Sequence, residues 1–370
     1  MSRFEDIAVM VRRLRSEARL TEVELANAVG LEADQIRRLE AGDLEGLSTA
    51  ALARVARRFS LPPDELLSGK TTARPLGIHF KQPALSDFQE KDRSTVEGIL
   101  REAQHVVWLN RALGLGDDLR QRFAPAPVGG RPYENGYGLA TQVRDALSNK
   151  EGPLSDLREL LEEHFGILVK SAPLHTTRIQ ALCVKDAAEG AAAIILNETN
   201  EGFANPAKQR SDLAHELGHI LGDPPVDEVD LVIDASLTEH PPQEQRANAF
   251  AAELLLPLAG LRRLLGPPAA ASGVEEARER VRRARAEFST TLELAVNHLI
   301  NRGYVDAALR EWLIENPLPI EPLPARQPHV PLLERRVHQA LRASVISTGH
   351  ARELLGLSVW DPLPADIVTP

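Results

Sequence analysis

Two histidines four residues apart, with a glutamate directly after the first, are the residues best suited to do chemistry: His215, Glu216 and His219 in the run LAHELGHILGD, residues 213–223. On an α-helix, residues i and i+4 share a face, so both imidazoles can bind one metal ion while the glutamate stands beside it. This H-E-x-x-H pattern is that of a zinc-dependent peptidase, where the metal acidifies a water and polarises a carbonyl and the glutamate takes the proton. Asn205 and Pro206 are a good N-cap and first helical residue, and Gly222 followed by Pro224 and Pro225 is a stop. A helix of suitable length therefore brackets the motif, with Leu213, Ala214, Leu217, Ile220 and Leu221 on its buried face.

A catalytic zinc usually takes three protein ligands and leaves a fourth position open. The extended motif H-E-x-x-H-x-x-G-x-x-H is excluded, because Gly222 is in register but Pro225 stands at the third histidine position. The other source is a glutamate on a following helix, and residues 241–257, PPQEQRANAFAAELLLP, offer Glu244 and Glu253. Ala247, Phe250, Ala251, Leu254 and Leu255 trace the apolar stripe of that helix. At about 100° per residue Glu244 falls near the stripe and is expected to face inward, whereas Glu253 is expected to face water. An inward carboxylate needs a partner, which a zinc ion supplies; a glutamate capping its own helix is the plainer alternative.

The combination HELGH, an acidic loop, and then E-x-x-x-N-x-x-A-x-x-x-L-L-x-P resembles the ImmA/IrrE metallopeptidase family. GPLSDLRELLEEHFGILV (152–169) and the strand AAAIILN ending at Asn197 are similar to the lead-in of that family, and the resemblance covers roughly residues 137–265. It implies His215, His219 and Glu244 as zinc ligands, with Mn2+ as a substitute metal, and Glu216 as general base. It also implies a regulatory endopeptidase whose substrate is a protein, a repressor or antitoxin-like regulator cleaved under stress.

Around this site the strand at residues 191–196 reads either as a substrate-binding edge, by β-augmentation, or as an ordinary buried strand. His240, His298 and Tyr304 are candidates to stabilise the transition state. The segment 223–243 carries Asp223, Asp227, Glu228, Asp230, Asp234 and Glu239 without lysine or arginine. It reads as a docking surface for a basic substrate or as a solvated loop.

At the N-terminus, Thr21 and Glu24 make a capping box, and the helix they start supplies Leu25, Ala26 and Val29 before ending at Gly30. A second short helix presents Ile36 and Leu39. With LSTAALARVARRFSLPPDELL (47–67), the segment resembles Xre-type helix-turn-helix DNA-binding domains. DNA contacts would fall to Arg37 and Arg38, with Arg12, Arg13 and Arg15 forming a basic edge. Against DNA stand Glu32 and Asp34 at the start of the recognition helix, and 11 Lys plus Arg against 12 Asp plus Glu in residues 1–70. The competing use of this unit is dimerisation or partner recognition, and a homodimer is kept open.

The expected fold class is α+β, mainly helical: an all-α helix-turn-helix domain (1–70), a helical connector and loop (71–136), a zincin-like core with a small sheet and the H-E-x-x-H helix (137–265), and a helical extension (266–316). A proline-rich linker (317–331) and a small helical unit (332–370) follow. In the connector, a helix is expected from about Ser94 to Leu113, while Phe123–Gly138 reads as a linker or ordered loop. The last unit is too small to fold without support and is expected to dock on the core or on a second copy. The single cysteine, Cys183, excludes a disulfide framework and reads as a buried filler. A net charge of −10, the absence of an apolar signal region and the absence of any membrane-length stretch point to a cytoplasmic protein without membrane contact. The reading from a different class is a helix-turn-helix regulator or antitoxin whose peptidase-like domain senses a ligand or binds a partner without cutting.

Overall fold

In the computed structural model the structure describes residues 3–17, 20–44, 46–59, 66, 89–115, 130–224, 229–233, 241–320, 329–358 and 361–364. They fall into two compact units, Met1–His79 and Phe80–Pro370. In the first, α1 (Arg3–Glu17), α2 (Glu22–Val29), α3 (Ala33–Glu40) and α4 (Thr49–Arg58) enclose Val11, Leu14, Leu25, Ile36, Leu39 and Val55. The capping box of Thr21 and Glu24 starts α2, and Gly30, at φ 62°, ends it in the left-handed region that glycine enters without a Cβ penalty. Glu40 is buried, and its carboxylate takes both ends of the Arg15 guanidinium at 2.5 and 2.7 Å.

The second unit is built on a four-stranded sheet of order β1-β3-β2-β4, from β1 (Leu168–Ala172), β2 (Ala181–Asp186), β3 (Ala191–Asn197) and β4 (Val229–Ile233). β1 runs parallel to β3, whereas β2 is antiparallel to both β3 and β4. Every residue of β3 is buried, because both faces of the sheet are covered. One face, with Cys183, Ala192, Ile194 and Leu196, joins the main core beneath α8 (Pro206–Gly222). α5 (Glu90–Ala112) packs against β1, β2 and β3 and is fastened there by Gln104, which donates to the Asp186 carboxylate at 2.7 Å. Since β3 is paired on both sides it offers no free edge, so of the two readings of residues 191–196 the structure agrees with the buried strand and not with the substrate-binding edge.

α6 (Pro132–Ala146), α7 (Leu157–Phe165), α9 (Pro242–Leu255), α10 (Leu258–Leu265), α11 (Val274–Phe288), α12 (Leu292–Asn301) and α13 (Arg310–Glu315) complete the core. Residues 132–138, expected to close a loop, instead open α6, with Pro132 at a first-turn position where its missing N–H costs nothing. One hydrophobic cluster runs from Leu139 to Leu313, so the helices expected as an extension after residue 265 share the core of the segment before it. α5 likewise belongs to the sheet rather than to a separate connector.

The C-terminal helices α14 (Leu332–Arg342) and α15 (Thr348–Leu354) dock on this unit, α14 lying against α5. Glu162 of α7, fully buried, receives His329 at 2.6 Å and Arg335 at 2.9 Å, while Glu163 pairs with Arg336 at 2.9 Å. Paired buried charges of this kind fix where an element sits, since leaving one partner unpaired is costly.

Candidate metal centre

α8 begins where the Asn205 side chain accepts hydrogen bonds from the backbone N–H groups of Ala207 and Lys208, and it ends at Asp223. Both limits agree with the stop and start signals in the sequence. Three glycines let the neighbouring helices approach closely. A Cβ on Gly218 would stand 3.1 Å from the Ala247 Cα, one on Gly222 3.0 Å from the Arg246 Nε, and one on Gly136 2.3 Å from the Arg246 carbonyl oxygen. α9 is thereby pressed between α8 and α6, and its first turn brings Glu244 to the two histidines.

The Nε2 atoms of His215 and His219 are 3.0 Å apart. Glu244 places Oε2 3.2 Å from the first and Oε1 3.2 Å from the second. Ligand atoms around a tetrahedral zinc with bonds of about 2.0–2.2 Å stand about 3.3 Å from one another, so the triangle has the right size, and two imidazoles with one carboxylate are an established zinc ligand set. No other such cluster occurs among the described residues. The electrostatics agree with a cation site. Burial opposes a charge on His219, yet hydrogen bonds with Asp223 and Glu244 outweigh it and push the imidazole up to about 10. Burial likewise opposes the Glu244 carboxylate, but the two histidines hold it well below the usual carboxylate range. These groups together call for positive charge at the centre of the triangle, which a metal ion provides in place of a proton.

Asp223 holds the Nδ1 of His219 at 2.8 Å and is itself paired with Arg246. The aspartate, read in the sequence as part of an acidic docking surface or a solvated loop, is therefore the partner that fixes the orientation of His219, with Nε2 turned toward His215 and Glu244. Asp227, Glu228, Asp234, Glu239 and the candidate His240 lie outside the described residues. Glu216 is almost fully buried and lines the same cavity as His215, a space of about 940 Å3. The Cys183 thiol, on the strand face below, hydrogen-bonds to the Glu216 carboxylate; burial, and then this carboxylate, push the thiol well up. The cysteine is buried, as expected, but it is more than filler.

Glu253 is the clearest correction. It was expected to face water, yet it is only 5 % exposed, accepting from the Leu258 N–H at 2.9 Å and pairing with Arg302 and, at 3.4 Å, with His298. The one-stripe argument assumes a helix with a wet side, whereas α9 packs against α6, α8 and α12. His298 lines the cavity, but its Nε2 donates to the Leu256 carbonyl at 2.9 Å. Tyr304 is fully buried with its hydroxyl on the Gly266 carbonyl at 2.9 Å, which is a structural anchor rather than a catalytic donor. Two residues of the cavity wall were missed in the sequence, Tyr133 and Tyr137. Their i, i+4 spacing was hidden by the loop assignment.

In the N-terminal unit, Arg37 is paired with Asp34 and Glu22 at 3.0 and 3.3 Å, and Arg38 with Asp43 at 2.7 Å, all at the surface. Arg15 is only 17 % exposed and is bound to Glu40, so it does not contribute to a basic edge.

Residues 162–299 match the family model of the IrrE N-terminal-like domain, Peptidase_M78. The match starts in α7, takes in the whole sheet and both helices of the candidate metal cluster, and ends in α12. No curated protein matches the chain. The matched segment is a metallopeptidase-type domain, in keeping with the ImmA/IrrE resemblance of its motif. No described helix is long and apolar enough to cross a membrane.

Proposed function

We propose that this chain is a zinc-dependent endopeptidase that cuts a protein regulator, a repressor or antitoxin-like substrate, at a specific site. The observation that carries the reading is the triangle of His215, His219 and Glu244, with separations of 3.0 to 3.2 Å, in a cavity that also contains Glu216. These three residues would hold zinc, or manganese in its place, and the bound metal would supply Lewis acidity toward a carbonyl and an attacking water. Glu216 is the general base: it accepts the proton of the attacking water and can pass it to the leaving amine. Cys183 steadies that carboxylate from below. Asp223, supported by Arg246, orients His219.

The N-terminal unit, in this reading, is a helix-turn-helix domain that recognises a partner. Its recognition-helix arginines are already engaged with carboxylates, which favours a protein surface over phosphates as the target. The enzyme acts in the cytoplasm.

Metal stoichiometry by native mass spectrometry tests the proposal without the substrate. Wild type is expected to hold about one equivalent of zinc and Glu244→Ala to lose it. Wild type that stays metal-free when zinc is supplied would overturn the peptidase reading.

A further inference from the structure

Tyr133 and Tyr137 lie one turn apart on α6 and so share a helical face. Between them Gly136 sits against the α9 backbone, where a Cβ would also come within 2.9 Å of the Phe250 nitrogen. This contact turns the tyrosine face over the cavity that contains His215 and Glu216.

The Tyr137 ring is fixed from several sides. His298 meets it edge-on, with centroids 5.7 Å apart and planes at 68°, and the Arg302 guanidinium lies 3.7 Å from its centroid. Its hydroxyl hydrogen-bonds to the Asn301 side chain. Arg302 and His298 are in turn held by Glu253, so a buried network locks this ring. Tyr133 stands edge-on to Tyr137 at 6.2 Å, and its hydroxyl is occupied by Arg131 at 3.0 Å. It is nevertheless 41 % exposed, an apolar ring left open in the wall of a concave site. The same cavity is lined by small residues, Ala181, Ala249 and Ala252, and by polar ones such as Gln180, Asn248 and Asn297, with Ala249 beside Gly136 next to the tyrosines. A rigid aromatic wall in a cavity of about 940 Å3 has room and surface for one bulky group.

We propose that Tyr133 and Tyr137 form the subsite that receives a large apolar side chain of the substrate, aromatic by preference, from a residue bound beside the metal-binding triangle. This rests on the peptidase reading of that triangle. Glu253, His298 and Arg302 are positioning residues for Tyr137, which gives the buried Glu253 a role in specificity rather than in metal binding.

Two small probes that differ by one phenyl group test the subsite on the full-length, zinc-loaded protein: acetohydroxamic acid and phenylacetohydroxamic acid. Calorimetry gives their affinities. The phenyl compound is expected to bind wild type about tenfold more tightly. In Tyr133→Ala/Tyr137→Ala the two affinities should become equal while zinc content is unchanged, and in Tyr133→Phe the preference should persist because the ring remains. Tyr133→Ala alone, at an exposed position that tolerates truncation, should show an intermediate preference and serves if the double variant does not fold. Equal affinities for the two probes in wild type, or a preference that survives loss of the rings, would overturn the subsite and leave the metal site standing. Wild type that takes up no zinc would overturn the metal reading and the subsite with it, whereas zinc-loaded wild type that binds neither probe would overturn the subsite alone.

Discussion

Asp223 holds the Nδ1 of His219 at 2.8 Å from the position where α8 ends, so a residue that terminates the helix also orients a histidine of the candidate metal cluster carried by its last turn. The Lys185 ammonium donates to the Asp223 carbonyl at 3.1 Å, and Arg246 pairs with its carboxylate, so the aspartate is anchored to β2 and to α9 together. Replacing it frees the imidazole to rotate and leaves Arg246 without its partner. Asp223→Ala is expected to weaken zinc binding about 10- to 100-fold, measured by competition with a chromophoric chelator. Asp223→Asn, which can still accept from Nδ1–H, should fall between the variant and wild type.

Glu216 is separable from the ligands because it lines the cavity without belonging to the triangle. Glu216→Gln removes the base, spares His215, His219 and Glu244, and nearly preserves shape. It should keep about one equivalent of zinc while proteolysis drops by about 10²- to 10⁴-fold or more. New protein N-termini, labelled in cells producing wild type or the variant, provide the measurement. Cleavage products that persist in the variant would remove Glu216 from the mechanism.

The close packing of α6 on α9 makes a stability prediction with an internal control. In Gly136→Ala the new methyl would lie 2.3 Å from the Arg246 carbonyl oxygen, a backbone atom that cannot turn aside. The helices must separate, at a cost of about 3 kcal/mol or more. Two residues along the same helix, Gly138 has no atom within 4 Å of a Cβ, so Gly138→Ala should stabilise by about 0.5–1 kcal/mol through helix propensity alone. Chemical denaturation of both variants checks the contrast, and Gly136→Ala should also retain zinc less well because Glu244 lies on the displaced helix.

How far the sequence revealed this arrangement depends on how local each feature is. The clustering of His215 and His219 was legible because i, i+4 geometry is a property of one helix, and the cap at Asn205 and the stop after Gly222 are chain-local signals. Glu244 was legible because the core side of α9 coincides with its apolar stripe. Glu253 was not, because its burial comes from α12, a helix distant in sequence that brings His298 and Arg302 to it. The pairing of Asp223 was equally hidden: in the sequence it is one more acid in an acidic stretch, and only folding sets Arg246 against it. Strand order was beyond reach for the same reason, since nothing within AAAIILN distinguishes a central strand from an edge.

The layer formed by α5 and the C-terminal helices carries a pH dependence that is independent of the metal centre. His105 on α5 is pushed down to about 4, by burial first and then by the nearby Arg101 and His350 charges. His350, on α15, rests against Trp108 with ring centroids 5.2 Å apart, so the same contacts dock the C-terminal pair. Below its ordinary value of 6.5, the unfolded chain binds a proton at this position that the folded chain refuses until about pH 4. The unfolded state therefore gains on acidification: the contribution of neutral His105 is fully present above pH 6.5 and is lost as pH falls toward 4. His105→Leu removes the titrating group, and the second unit of that variant should lose less stability across this interval than wild type does. Trp108 and Trp312 belong to the second unit and no tryptophan precedes residue 108 in the sequence, so urea midpoints read by tryptophan emission at several pH values report on it. Equal pH slopes in the two proteins would show that His105 does not govern the acid sensitivity of this layer.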